Sequence, residues 1–109
     1  MYTGGINLAI SPAMQENWDK AIQMLASELP SPSFTTWIKP LKLRAINKDT
    51  MLIEVPDPLV LSQLNGRYKS MLEAAVKITF GRDYFVSPAL TADIEKQLAQ
   101  VKRNNRARR

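Results

Sequence analysis

Leu41-Lys-Leu-Arg-Ala-Ile46, then Asn47-Lys-Asp49, then Thr50-Met-Leu-Ile-Glu-Val55 decide the fold of this 109-residue chain. The first segment alternates apolar and basic side chains at the two-residue period of a strand with one solvated face. Residues 47–49 carry turn chemistry, and residues 50–55 read as the returning strand of a hairpin. Pro56-Asp57-Pro58 ends that strand and opens a helix, with Asp57 as N-cap and Pro58 at the first helical position. Leu61, Leu64, Tyr68, Leu72, Ala75, Val76 and Thr79 continue as one helical stripe. Within it Gly66 costs roughly 1 kcal/mol relative to alanine, so Asn65-Gly66 is where a kink is expected. Gly81 stands where a C-terminal cap belongs, residues 83–87 predict a third strand, and residues 88–101 a short amphipathic helix on Leu90, Ile94, Leu98 and Val101.

Upstream of the hairpin, Ser11-Pro12 offers a cap followed by a proline at the helix start. Met14, Trp18, Ala21, Ile22, Leu25 and Leu29 then recur at spacings of three and four, which draws one apolar face on a helix. Pro30 ends it, because proline lacks an amide hydrogen and disfavours helical geometry in the residue before it. Ser31-Pro32 repeats the start for a short second helix on Phe34, Trp37 and Ile38, which Pro40 stops. The order is helix, helix, strand, strand, helix, strand and a last helix: an α+β domain with one sheet face covered by helices. Residues 1–13 read as a flexible lead, 14–87 as the folded domain, and 88–109 as an amphipathic helix or linker start with a basic C-terminal tail.

The charge is unevenly placed. The chain carries a formal +5 and a pI near 9.8. Lys102, Arg103, Arg106, Arg108 and Arg109 lie in the last eight residues with no acid, leaving ten basic groups against ten acidic ones in the first 101. The body is neutral, so steering of a polyanion falls to the tail. Cysteine and histidine are absent, which removes disulfides, thiolate nucleophiles, imidazole bases and most zinc or copper chemistry. No cofactor is expected: the four glycines form neither a phosphate-cradling P-loop nor a dinucleotide fingerprint. The acids are scattered, with Glu16 and Asp19 in the first turns of helix one, Asp49 in the hairpin and Asp57 at a cap, so no catalytic pair stands out and the chain reads as a non-enzyme. No stretch approaches the roughly 18 apolar residues of a membrane span. The start lacks the basic and apolar regions of a secretory signal, which predicts a cytoplasmic location.

Trp37 sits mid-helix beside Phe34 and Ile38 and reads as core. Trp18 reads two ways: as core, or as a partly exposed anchor for another protein surface. Leu59, one step past Pro58, precedes the main stripe and is placed to face solvent. Lys39, Lys42 and Arg44 line up near one face of the second helix and first strand. With Tyr84 or Phe85 as a stacking platform they allow weak, salt-sensitive contact with single-stranded DNA.

The run Trp18-x3-Ile22-x2-Leu25-x3-Leu29-Pro30, Phe34-Thr-Thr-Trp37-Ile38-Lys-Pro40-Leu41, Leu52-Ile-Glu-Val-Pro56, Val60-Leu61 and Arg67-Tyr68 resembles the N-terminal domain of the bacterial replication initiator DnaA. The likeness covers about residues 15–87, and F-x-x-W-I-x-P-L is its most specific piece. It implies a K-homology-like fold with a three-stranded sheet. It also implies a docking module that self-associates through the tryptophan matching Trp18, helps load the replicative helicase, binds initiation regulators and in some members touches single-stranded DNA. The helicase-contacting positions fall on Ser33, where the family has an acid, and on Leu59 beside Asp57, where it has an aromatic ring. The G-x-x-G loop of K-homology nucleic-acid clamps is missing. The initiator's nucleotide-hydrolysing module and duplex-reading helices are not within these 109 residues. The expectation is therefore either a piece running into a linker or a free-standing relative that competes for initiator or helicase surfaces.

Overall fold

The computed structural model describes residues 10–107, with side chains from 10 to 100. Helix α1 (Pro12–Glu28) starts as its sequence predicts: the Ser11 hydroxyl accepts the Met14 amide hydrogen at 3.1 Å, and Pro12 occupies the first turn. Helix 1 therefore begins inside the segment expected to be a flexible lead. Glu16 and Asp19 lie beyond the first turn, and each instead bonds along the helix. Glu16 approaches Lys20 at 4.0 Å, and Asp19 accepts from Gln15 at 3.0 Å. Leu29, before Pro30, turns to an extended conformation and stops the helix.

Helix α2 (Ser31–Ser33) widens at once into a π-helical turn, Phe34–Ile38, closed by the Lys39 amide donating to the Phe34 carbonyl at 2.9 Å. Strands β1 (Lys42–Asn47) and β2 (Thr50–Val55) form the expected antiparallel hairpin, with Lys48 at φ 57° in the turn. The long helix is broken where Asn65-Gly66 falls: α3 (Pro58–Gln63), a second π-helical turn (Leu64–Tyr68), then α4 (Lys69–Phe80), capped by Gly81 at φ 79°.

The third strand is displaced from its predicted span. Strand β3 (Phe85–Leu90) pairs parallel with β2 from Thr50↔Phe85 to Val55↔Leu90, giving a mixed sheet in the order β1-β2-β3. Pro88 is part of this strand and does not open a helix, so a boundary at residue 87 falls inside the sheet. Proline is tolerated because β3 is an edge strand and a missing amide hydrogen on its free side costs no ladder bond. A 3₁₀ turn (Thr91–Asp93) then leads into α5 (Ile94–Ala107).

Both sheet faces are packed, which corrects the expectation of a wet face. On one side α1, α3 and α4 close over Leu43, Met51, Ile53, Val55 and Val86 to form the main core. On the other side Ile94 and Leu98 of α5 cover Ala45, Leu52 and Ala89. Leu43 and Ala45 are two residues apart yet face opposite sides. Between them the register slips, so that Leu43 opposes Ile53 and Ala45 opposes Leu52, leaving Arg44 as the extra residue of a β-bulge.

Candidate functional site

The mouth of α3 is built by its cap. Asp57 is extended, and its Oδ1 accepts the Val60 amide hydrogen at 2.9 Å. Pro58 fixes the first helical position, and the next two residues diverge by the 100° helical step: Val60 is buried, whereas Leu59 is 61% exposed. Helix α3 packs against the π-helical turn Phe34–Ile38; half-buried Ser33 ends α2 immediately before that turn, and Leu59 is exposed on α3.

A second surface lies between α1 and β1. Gln15, Trp18, Asp19 and Ile22 form one wall of a groove of about 390 Å³, and Lys39 with residues 41–44 forms the other. The three cations singled out from the sequence, Lys39, Lys42 and Arg44, are thus brought together. Lys39 and Lys42 are exposed and take part in no ion pair among the described residues, while Arg44 is bound to Glu54. The aromatic partners expected beside them are elsewhere. Phe85 is 62% exposed but sits on β3, the opposite edge of the sheet. Tyr84 is half-buried, edge-on to Phe80 at 5.5 Å and covered by the Arg82 guanidinium at 4.8 Å.

Trp18 is 3% exposed and packs in the main core, so it is not an apolar knob in solvent. Helix α4 packs along α1, and Trp18 joins the core that the two helices share with the sheet. Trp37 is half-buried against the same core. Of the basic tail, Lys102, Arg103 and Arg106 fall on α5 beyond the described side chains, and Arg108 and Arg109 fall outside the described residues.

Sequence reasoning missed a buried polar cluster on the α5 side of the sheet. Glu54, on the central strand, accepts from the Thr91 hydroxyl at 2.7 Å through Oε2 and from the Arg44 guanidinium through Oε1. The Thr91 hydroxyl and then the Arg44 guanidinium hold the Glu54 carboxyl below the ordinary glutamate range, against the opposing effect of burial. The signal was an acid inside the otherwise apolar run Met51-Leu-Ile-Glu-Val55, which only a partner on each side makes tolerable. No cluster of three or more acids fit to hold a metal occurs among the described residues, and no described helix is long and apolar enough to cross a membrane.

The fold and its surfaces define a small α+β domain in which helices pack on both faces of a mixed three-stranded sheet built from a hairpin and a parallel third strand. Residues 15–77 match the DnaA N-terminal domain, and the chain belongs to that family. Over 86 residues it is 27% identical to the chromosomal replication initiator protein DnaA of Caldanaerobacter subterraneus subsp. tengcongensis. That stretch is 78% of this chain and 19% of the relative, so the chain spans about a fifth of the relative's length.

Proposed function

We propose that this chain is a non-catalytic protein-interaction domain of bacterial replication initiation, acting in the cytoplasm. It docks the replicative helicase or an initiation regulator on the mouth of α3, and it pairs weakly with a second copy of itself through α1. Family membership and the name of the matched initiator support the process. The observation that carries the docking reading is Leu59, a large aliphatic side chain 61% exposed beside the Asp57 cap. Single exposed leucines are common, but the cap and Pro58 fix the backbone at Leu59, so the chain that presents it needs no reordering on binding. Ser33, immediately before the π-helical turn against which α3 packs, supplies a neutral hydrogen-bonding group. Self-association draws on the α1 surface, where Met14 is exposed and Trp18 holds the helix in place from beneath.

The test is Leu59→Glu, measured by surface plasmon resonance against the replicative helicase of the same organism. An interface anchor replaced by a charge weakens binding at least about tenfold, roughly 1.4 kcal/mol. The circular dichroism spectrum stays unchanged because the position is exposed. Equal affinity of the variant and the wild type would sink this reading.

A further inference from the structure

We infer that the groove between α1 and β1 receives an extended acidic segment of a partner polypeptide, added as a fourth strand at the open edge of β1. Three observations converge on this. First, β1 is an edge strand: its one neighbour in the sheet is β2, so its outer side offers a row of backbone donors and acceptors for strand addition. Second, the groove beside that edge is about 390 Å³, and its apolar lining is half-buried Ile22 with the outer atoms of Trp18, Leu41 and Leu43, which are otherwise buried. That space suits alternate aliphatic side chains of an extended segment. Third, its rim carries Lys39 and Lys42, neither in an ion pair among the described residues, against the single acid Asp19, while the charge of Arg44 is already met by Glu54. The unpaired lysines favour carboxylates between the apolar anchors.

A single strand of DNA fits these observations less well. Sequence-tolerant binding of bases depends on exposed aromatic faces, and the groove has none: its indole is buried, and Phe85 is on the far edge of the sheet. A second copy of this chain is also a poor occupant. Its Asp93-Ile-Glu95 segment has the right alternation, but Ile94 is buried under α5's own contact with the sheet.

The proposal stands apart from what binds at α3, and the experiment keeps the two separate. The ¹⁵N-labelled chain is titrated with an acetylated, amidated octapeptide alternating glutamate with leucine, with its lysine-for-glutamate counterpart, and with oligo-dT. The glutamate peptide is expected to shift the amide signals of β1 and the Trp18 indole, and the lysine peptide to leave them in place. The exposed double variant Lys39→Glu/Lys42→Glu should weaken the glutamate peptide at least about tenfold, whereas Leu59→Glu should bind it like the wild type. The inference is overturned if the two peptides act alike, if the shifts fall outside β1 and α1, or if no shift appears at millimolar peptide. Stronger movement of the same signals by oligo-dT would instead make nucleic acid the occupant.

Discussion

Trp18 and Leu59 are both large apolar side chains close to a helix start, and their environments oppose each other. Trp18 lies in the main core and is 3% exposed, whereas Leu59 is one helical step off the buried side and is 61% exposed. Truncating the first opens a void that the surrounding Ala21, Leu25 and Leu43 have no spare length to fill. Trp18→Ala is therefore expected to cost about 3–5 kcal/mol, read as a lower urea midpoint with an unchanged slope. A variant as stable as the wild type, but altered in self-association, would return the indole to an interface role. Asp57 makes a related point: its carboxylate is already committed to the Val60 amide, so its first contribution is to hold α3 and thereby aim Leu59.

At the scale of elements, two glycines on one broken helix are expected to answer oppositely to alanine. Gly66, in the π-helical turn, has no positive φ, and a methyl group there meets nothing within 4 Å. Gly66→Ala then gains helix propensity without a clash and stabilises by up to about 1 kcal/mol. Gly81, the cap of α4, is at φ 79°, a conformation that disfavours any side chain, so Gly81→Ala loses about 1 kcal/mol. For a domain of this size each change is roughly 4–8 °C in melting temperature, one up and one down. Shifts of the same sign in the two variants would contradict this assignment of the turns. The β-bulge at Arg44 is the third element-level device. It rotates the second half of β1 so that Ala45 faces α5, and it lets the Arg44 guanidinium reach Glu54.

At the scale of the whole molecule, Glu54 joins the parts. Its carboxylate ties the bulge of β1 to the turn entering α5, and Glu73 does the same between α4 and β3 by accepting the Val86 amide hydrogen at 2.8 Å. The Glu54 carboxyl is held low in the folded state, so its stabilisation is fully present above the ordinary glutamate pKa, about 4.3, and is lost as pH falls through the depressed value. Glu54→Gln removes that titration. The stability advantage of the wild type over this variant, measured by urea unfolding, should be constant near neutral pH and shrink progressively below about pH 4. An advantage that stays constant down to pH 2.5, on the order of two units below the ordinary value, would mean that the carboxylate contributes nothing special to the fold.

The order of elements, the two cap-plus-proline helix starts, the hairpin and the glycine cap were all decided by local chemistry. Ser11, Asp57, Pro12, Pro58 and Gly81 act through their own backbone, and periodicity marks which side of each helix is apolar. The exposure of Leu59 was legible for the same reason, since a helical step separates it from the stripe. Long-range packing decided the rest. The parallel pairing of β3 kept Pro88 in a strand, and the docking of α5 turned a half-wet hairpin into a sheet packed on both faces. The packing of the main core took Trp18 inside, and the meeting of α1 with the edge of β1 gathered Lys39, Lys42 and Arg44 into one groove. None of these is written in a window of neighbouring residues, because each depends on which distant segment removes water from a given side chain.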